Sequence, residues 1–327
     1  MNSITDPVRA VVHTRHVATV SAPAAEVYAT IADVTRWPHT FGPTVYAEVL
    51  ESTGQAERLR LWAYANGTVQ TWTSRRSLDP ESLHVGFEQE ISPPPVRSMG
   101  GEWRLEALDE RTTRVELLHD FTAASIEAEE LISRAVDSNS TAELSALKWL
   151  TERSGSARTA GVVLSFEDSV DIAADAQQVY LFLREAAAWP SRLPHVARLE
   201  LTEDVPGVQL MIMDTRTPDG SIHTTTSVRI CLDEQHTIAY KQTVTPPIMA
   251  AHVGRWTLEP RGGGVRATSH HTVVIRPELL SDVLGLGGTL EQARSVIRAR
   301  LGANSTTTLR QAKAFAESKT VPSPALL

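Results

Sequence analysis

Apolar and polar residues along this chain change period in a set order, and the order occurs twice. "VVHTRHVATVSA" (11–22) alternates in character, as a strand with one buried face does. A Ser/Pro start signal then leads into a short helix containing Val27 and Tyr28. The Trp37-Pro38 pair is predicted to stop it, since proline does not continue a helix. Strand patterns follow at 46–51, 58–64, 68–77, 82–91, 100–108 and 112–122, punctuated by "ANG", "LDPES" and "DERTT". An amphipathic helix over 125–153 closes the set, and its equivalent in the second set runs over roughly 278–317.

The two sets are one sequence repeated at an offset of 152 or 153 residues. "SAPAAEVYATIADVTRWP" lies over "IAADAQQVYLFLREAAAWP", and "GEWRLE" over "GRWTLEP". Gln89 meets Gln242, and Pro93-Pro94 meets Pro246-Pro247. "NSTAELSALKWL" meets "NSTTTLRQAKAF" after the second copy gains about a dozen residues around "LLSDVLGLGGTLEQ". Two copies, each long enough for its own core, make a duplicated domain and no solenoid. Strand, short helix, strand run, long helix is an α+β order, with an antiparallel sheet and its helices segregated to one side. A curved sheet gripping one long helix leaves a cavity between them. The expected division is a domain at 10–153, a linker at 154–162, a domain at 163–317 and a tail at 318–327.

Composition removes several classes of function. No apolar run approaches the ~20 residues that cross a bilayer, and "MNSITDPVRAVVHTRHVATV" lacks the apolar core of a secretory signal, so a cytoplasmic location and no membrane partner are expected. A net charge of -8 without a Lys/Arg run argues against nucleic acid. The single cysteine, Cys231, reads as a small buried hydrophobe. No HxxxH or HExxH spacing suggests a metal, "GLGGTLEQ" reads as a loop entering a helix with no dinucleotide behind it, and GxSxG is absent. No cofactor is expected.

The chemistry-bearing residues lie in the strands. In "VQTWTSRR" the period of two puts Gln70, Trp72, Ser74 and Arg76 on one face and Arg75 on the other. The second copy sets His223, Thr225, Ser227 and Arg229 in the same way. An inward charge is costly unless something binds it. Pairing with a surface carboxylate is the plainer alternative. A guanidinium stays protonated, so its chemical task would be to hold a carbonyl oxygen or an enolate. Trp37, Trp62, Tyr64, Trp72 and Trp103 in the first copy, and Trp189 and Trp256 in the second, are either plain core or walls for a flat conjugated ligand. His119 stands in the first copy; His195, His223, His252, His270 and His271 stand in the second, each a possible acid or base. Asn139 and Asn304 head the repeated "NST" of the long helices, either as caps after a kink or as pocket amides. Gln89 and Gln242 are a further repeated polar pair.

Together the duplicated "VY...WP", the S-x-R strand, "PP...GxW" and the helical "NST" resemble the di-domain aromatase/cyclases of bacterial type II polyketide synthases, over nearly the whole chain. The resemblance implies two helix-grip domains of the START/Bet v 1 type. It also implies regiospecific aldol cyclisation and dehydration of a carrier-protein-bound poly-β-ketone to an aromatic first ring. Matched residue by residue, the pocket Arg is Arg76 and Arg229, the Ser two before it Ser74 and Ser227, the first-helix Trp Trp37 and Trp189, and the helix Asn Asn139 and Asn304. Where some single-domain relatives carry a pocket Tyr, this chain has Thr44 and Val196, which leaves His195 as the neighbouring proton-transfer candidate. Partners implied are the acyl carrier protein, the ketosynthase/chain-length factor and a ketoreductase, with a monomer expected because the duplication replaces a dimer. Two rivals are a START-like carrier of a hydrophobic ligand that does no chemistry, and a heat-shock-coactivator-like interaction module. The Trp-rich first copy and His-rich second predict cavities that are not equivalent.

Overall fold

The computed structural model describes residues 10–65, 67–154, 161–217 and 220–320, in two compact units, Met1–Ala160 and Gly161–Leu327. The first runs β1 (Val12–Val20), α1 (Ala24–Ala32), α2 (Trp37–Thr40), β2 (Thr44–Ser52), β3 (Ala56–Ala65), β4 (Thr68–Asp79), β5 (His84–Ile91), β6 (Val96–Asp109), β7 (Thr112–Ala123) and α3 (Ile126–Ser154). The second repeats it as β8 (Val163–Ile172), α4 (Ala176–Arg184), α5 (Trp189–Arg192), β9 (Val196–Val205), β10 (Val208–Arg216), β11 (Ile222–Leu232), β12 (Thr237–Val244), β13 (Met249–Arg261), β14 (Gly264–Ile275), α6 (Leu280–Leu284) and α7 (Leu290–Thr320). Each sheet has seven antiparallel strands, ordered β1-β7-β6-β5-β4-β3-β2 and β8-β14-β13-β12-β11-β10-β9.

Three boundaries differ from the sequence expectation. Trp37-Pro38 and Trp189-Pro190 open the short helices α2 and α5 instead of closing the ones before them, since proline fits a first helical turn. The helix expected over roughly 278–317 is broken: α6 ends before Gly285, whose φ is 88°, and α7 begins after Thr289. Thr289 and Gln292 then exchange the reciprocal bonds of a capping box. α7 continues to Thr320, into the first residues of the expected tail; the remainder of that tail and most of the expected linker lie outside the described residues.

The repeated "GxW" has a packing cause. Gly101 and Gly254 each let an aromatic of the neighbouring strand lie across the sheet. A Cβ on Gly101 would sit 2.7 Å from Phe87 Cζ, and one on Gly254 2.4 Å from the Tyr240 hydroxyl oxygen. Phe87 and Tyr240 are the same repeat position, differing by one hydroxyl.

Candidate active site

Along α7 the apolar packing falls into two groups. Ala293 and Ile297 pack with Leu164, Met249 and Ile275 near its start; Leu309, Ala312 and Ala316 pack with Trp189 and Trp256 near its end. Between them α7 presents Asn304, Ser305 and Thr308 to a cavity of about 570 Å³, a small-molecule size. Trp189, Met211 and Trp256 supply apolar wall, and Ser227, Arg229, Tyr240, Gln242, His252 and His271 the polar groups.

Strand parity sends Ser227 and Arg229 inward together, 3 % and 1 % exposed. Arg229 Nη1 donates to Gln209 Oε1 at 2.6 Å and Nη2 to the Leu183 carbonyl at 2.6 Å. Leu183 is in the last turn of α4, where carbonyls lack helical partners and the helix dipole favours a cation. The guanidinium carbon lies 5.0 Å from the Trp189 ring centroid. Burial lowers the guanidinium pKa, but from so high a starting value that the group remains a cation.

Beside it, three adjacent strands bring together a proton-bearing cluster. Tyr240 Oη lies 3.0 Å from His271 Nδ1, His252 Nε2 lies 3.1 Å from the same nitrogen, and Ser269 Oγ lies 3.1 Å from His271 Nε2. With His271 Nε2–H donating to Ser269, the single lone pair of His271 Nδ1 accepts from one donor at a time, Tyr240 O–H or His252 Nε2–H. Phe166 stacks on His271 at 4.8 Å. Desolvation, then the nearby Arg298 and His270 charges, lower the His271 pKa to about 4. Burial, then the His271 charge, holds His252 well below its ordinary value, and burial raises Tyr240. At neutral pH the cluster is uncharged and able to pass a proton. His195, its pKa lowered by burial, also lines the cavity. His195 Nδ1, His252 Nδ1 and Gln242 Oε1 are buried without a partner among the described residues, as expected of atoms awaiting a ligand.

The first unit repeats the design with changed charges. Ser74 and Arg76 are inward and buried, and Gln89 stands opposite Ser74 with its Oε1 unpartnered, as Gln242 stands opposite Ser227. Arg76 Nη1 donates to the Ile31 carbonyl at 3.1 Å, and Nη2 to Ala32 O at 2.7 Å and Glu57 Oε2 at 2.5 Å. Its guanidinium carbon lies 5.3 Å from the Trp37 ring centroid. His119 Nδ1 is 3.5 Å from Ser140 Oγ, and burial lowers its pKa to about 4. Glu143 sits three residues beyond Ser140, at the repeat position of Thr308, and burial raises its pKa to about 7.

Several expected site residues are elsewhere. Trp62 and Tyr64 belong to the opposite face of the sheet: Leu59 and Leu61 pair with Ser74 and Trp72, so their odd-numbered parity is inward and Trp62 packs on Tyr46, 5.6 Å away. Gln70, at the start of the inward row, is exposed. Asn139 lies in the unbroken α3 and is exposed, so it neither caps a kink nor lines a cavity; Asn304, mid-helix in α7, does line one. Trp72 packs against the cluster of Val34, Ala47, Leu59 and Leu61, and Trp103 is core, stacked on Phe41 at 6.2 Å. His223 is exposed on the cavity wall. Tyr240, Glu57 and Gln209 were not singled out by the sequence, although the repeat offset places Phe87 beneath Tyr240 and Glu57 beneath Gln209.

A seven-stranded antiparallel sheet packed on a long helix, present twice, is the helix-grip class, and in the second unit it encloses the polar-studded cavity. The chain belongs to the family described as polyketide cyclase/dehydrase and lipid transport, whose sequence profiles match residues 20–144 and 163–315. It is 42% identical over 311 residues to the actinorhodin polyketide synthase bifunctional cyclase/dehydratase of Streptomyces coelicolor, covering 92% of this chain and 96% of that one. The granaticin polyketide synthase bifunctional cyclase/dehydratase of Streptomyces violaceoruber is 42% identical over 305 residues, 92% of this chain and 93% of that protein. Among solved structures, the di-domain ARO/CYC BexL from the BE-7585A biosynthetic pathway superposes with a TM-score of 0.86 at 44% identity, covering 94% of this chain and 99% of its own.

Proposed function

We propose that this protein is a polyketide aromatase/cyclase that closes and dehydrates the first ring of a carrier-bound poly-β-ketone. The observation that supports the reading most is the buried Arg229 sharing one cavity with Ser227, Tyr240 and two neutral imidazoles. An aldol closure requires a methylene between two ketones to lose a proton and its carbon to attack a third carbonyl, whose oxygen takes up negative charge. Arg229 stabilises that oxygen, and the apolar walls hold the chain so that the correct carbons meet. The resulting hydroxyl leaves as water when one proton is delivered to it and one is taken from the adjacent carbon. The Tyr240–His271–His252 cluster supplies and accepts such protons without a cofactor. The acidic carrier partner would meet a positive rim, for which the exposed, cavity-lining Arg216 and Arg300 are suited.

The test is product analysis from a reconstituted synthase with and without this protein. The expected result is one aromatic first-ring product, lost in Arg229→Met. Unchanged products with retained ligand binding would favour a non-catalytic carrier of hydrophobic molecules, the other activity in the family's description.

A further inference from the structure

The duplication provides an internal control for the charge around each buried arginine. In both units the arginine is held in the same way: by a carbonyl from the end of the first helix (Ile31 or Leu183), by the tryptophan that opens the next helix, and by the residue directly opposite it on the neighbouring strand. Arg76 also holds the Ala32 carbonyl, whose counterpart, the Arg184 carbonyl, accepts from Gln209 Nε2 at 3.2 Å, and the partner on the neighbouring strand differs in charge. It is Glu57 in the first unit, at 2.5 Å, and Gln209 in the second, at 2.6 Å. Arg76 is therefore neutralised at contact, whereas Arg229 has an amide oxygen there.

A carboxylate does exist farther back. Gln209 Nε2 donates to Glu203 Oε2 at 2.8 Å, but Glu203 is engaged by Arg184 at 2.8 Å and by the Gly207 N–H at 2.9 Å, and Arg184 also contacts Asp233 at 3.1 Å. Arg184 is shared between Glu203 and the largely exposed Asp233, which water screens, and neither carboxylate reaches the cavity. No carboxylate lines the cavity among the described residues. Of its other titratable groups, His195, His252, His271 and Tyr240 are uncharged near neutrality, while His223, Arg216 and Arg300 are exposed, where water screens them. A buried cation without a contacting anion favours any ligand that can become one.

We propose that Gln209, standing where the first unit has Glu57, makes the C-terminal cavity an anion-stabilising site that holds a 1,3-diketone as its enolate. Gln209 is a positioning residue: it orients Arg229 without cancelling its charge. The proposal rests on the polyketide reading for its natural ligand, but its physical content is independent of turnover. Loss of one proton from the diketone methylene to solvent leaves the electron pair on the two oxygens, and the guanidinium favours that form.

The test uses the full chain and 1-phenylbutane-1,3-dione, whose enolate absorbs at longer wavelength than its enol. In saturating wild-type protein its ionisation should move to lower pH by about one unit or more, a tenfold shift in the enol–enolate ratio per unit. The double variant Gln209→Glu/Glu203→Gln conserves the number of charges while recreating the first unit's contact; it should lose most of the shift, as should Arg229→Met. Glu57→Gln, which gives the first unit the same amide contact, should not reduce the shift. A wild-type protein that leaves the probe's ionisation where it is in buffer overturns the proposal, and so does a double variant with the full wild-type shift. A normal shift without cyclised product in the reconstituted synthase would defeat the polyketide reading alone.

Discussion

His271 should make the C-terminal unit sensitive to mild acid. Its imidazole is 5 % exposed, lies under the Phe166 ring and is hydrogen-bonded to three groups that suit its neutral form. Arg298, itself held by Asp168 at 2.7 Å, adds a positive charge nearby. The folded pKa is about 4 against 6.5 for the free side chain, so the unfolded chain binds the proton more tightly. Stability from this group is fully present above pH 6.5 and is lost as the pH falls toward 4. Linkage over that shift amounts to about 1.4 kcal/mol lost by pH 5.5 and about 3 kcal/mol by pH 4. His252, stacked at 5.4 Å, is likewise held well below its ordinary value by burial and then by the His271 charge. Urea unfolding of wild type and His271→Gln at pH 7, 5.5 and 4, followed by tryptophan emission, isolates the effect, because all other titrating groups cancel in the difference. The variant is expected to start less stable and to lose about 3 kcal/mol less between pH 7 and 4. Equal losses in the two proteins would refute a neutral, acid-labile His271.

Two further outcomes follow from the packing. Gly254→Ala would place a methyl 2.4 Å from the immobile His270 carbonyl oxygen and 2.4 Å from the Tyr240 hydroxyl; overpacking of this kind costs about 1–3 kcal/mol, a fall of several degrees in Tm, and should displace Tyr240 enough to impair product formation. A melting temperature within a degree of wild type would show that the glycine is not required. Glu143 has the opposite sign from His271: its folded pKa is raised to about 7, so its contribution is present below pH 4.5 and lost as the pH rises to 7. Glu143→Gln should therefore stabilise the protein at pH 8 and flatten its stability between pH 4.5 and 7, as measured by thermal melts; an unaltered pH profile would place the carboxyl in contact with water.

Strand parity and repetition are local or periodic properties of the chain, and what depends on them was legible before any coordinates. Alternation in "VQTWTSRR" put Ser74 and Arg76 on the buried face and Arg75 outside, and the 153-residue offset carried the same assignment to Ser227 and Arg229. The order of elements followed likewise, with errors at Trp37-Pro38 and Gly285, where one residue can end a helix or begin another. What only the tertiary structure decided is which residues meet across strands. Trp62 and Tyr64 looked like cavity walls by residue type, but pairing with Thr71 and Val69 turns them to the other face. Tyr240, His252 and His271 form a cluster only because β12, β13 and β14 lie side by side, and Arg76 and Arg229 differ in contact charge through Glu57 and Gln209 on the strands opposite. Side-chain direction along a strand is set by the backbone's own period, whereas lateral contacts are set by register between distant segments. The charge around each buried arginine belongs to the second kind.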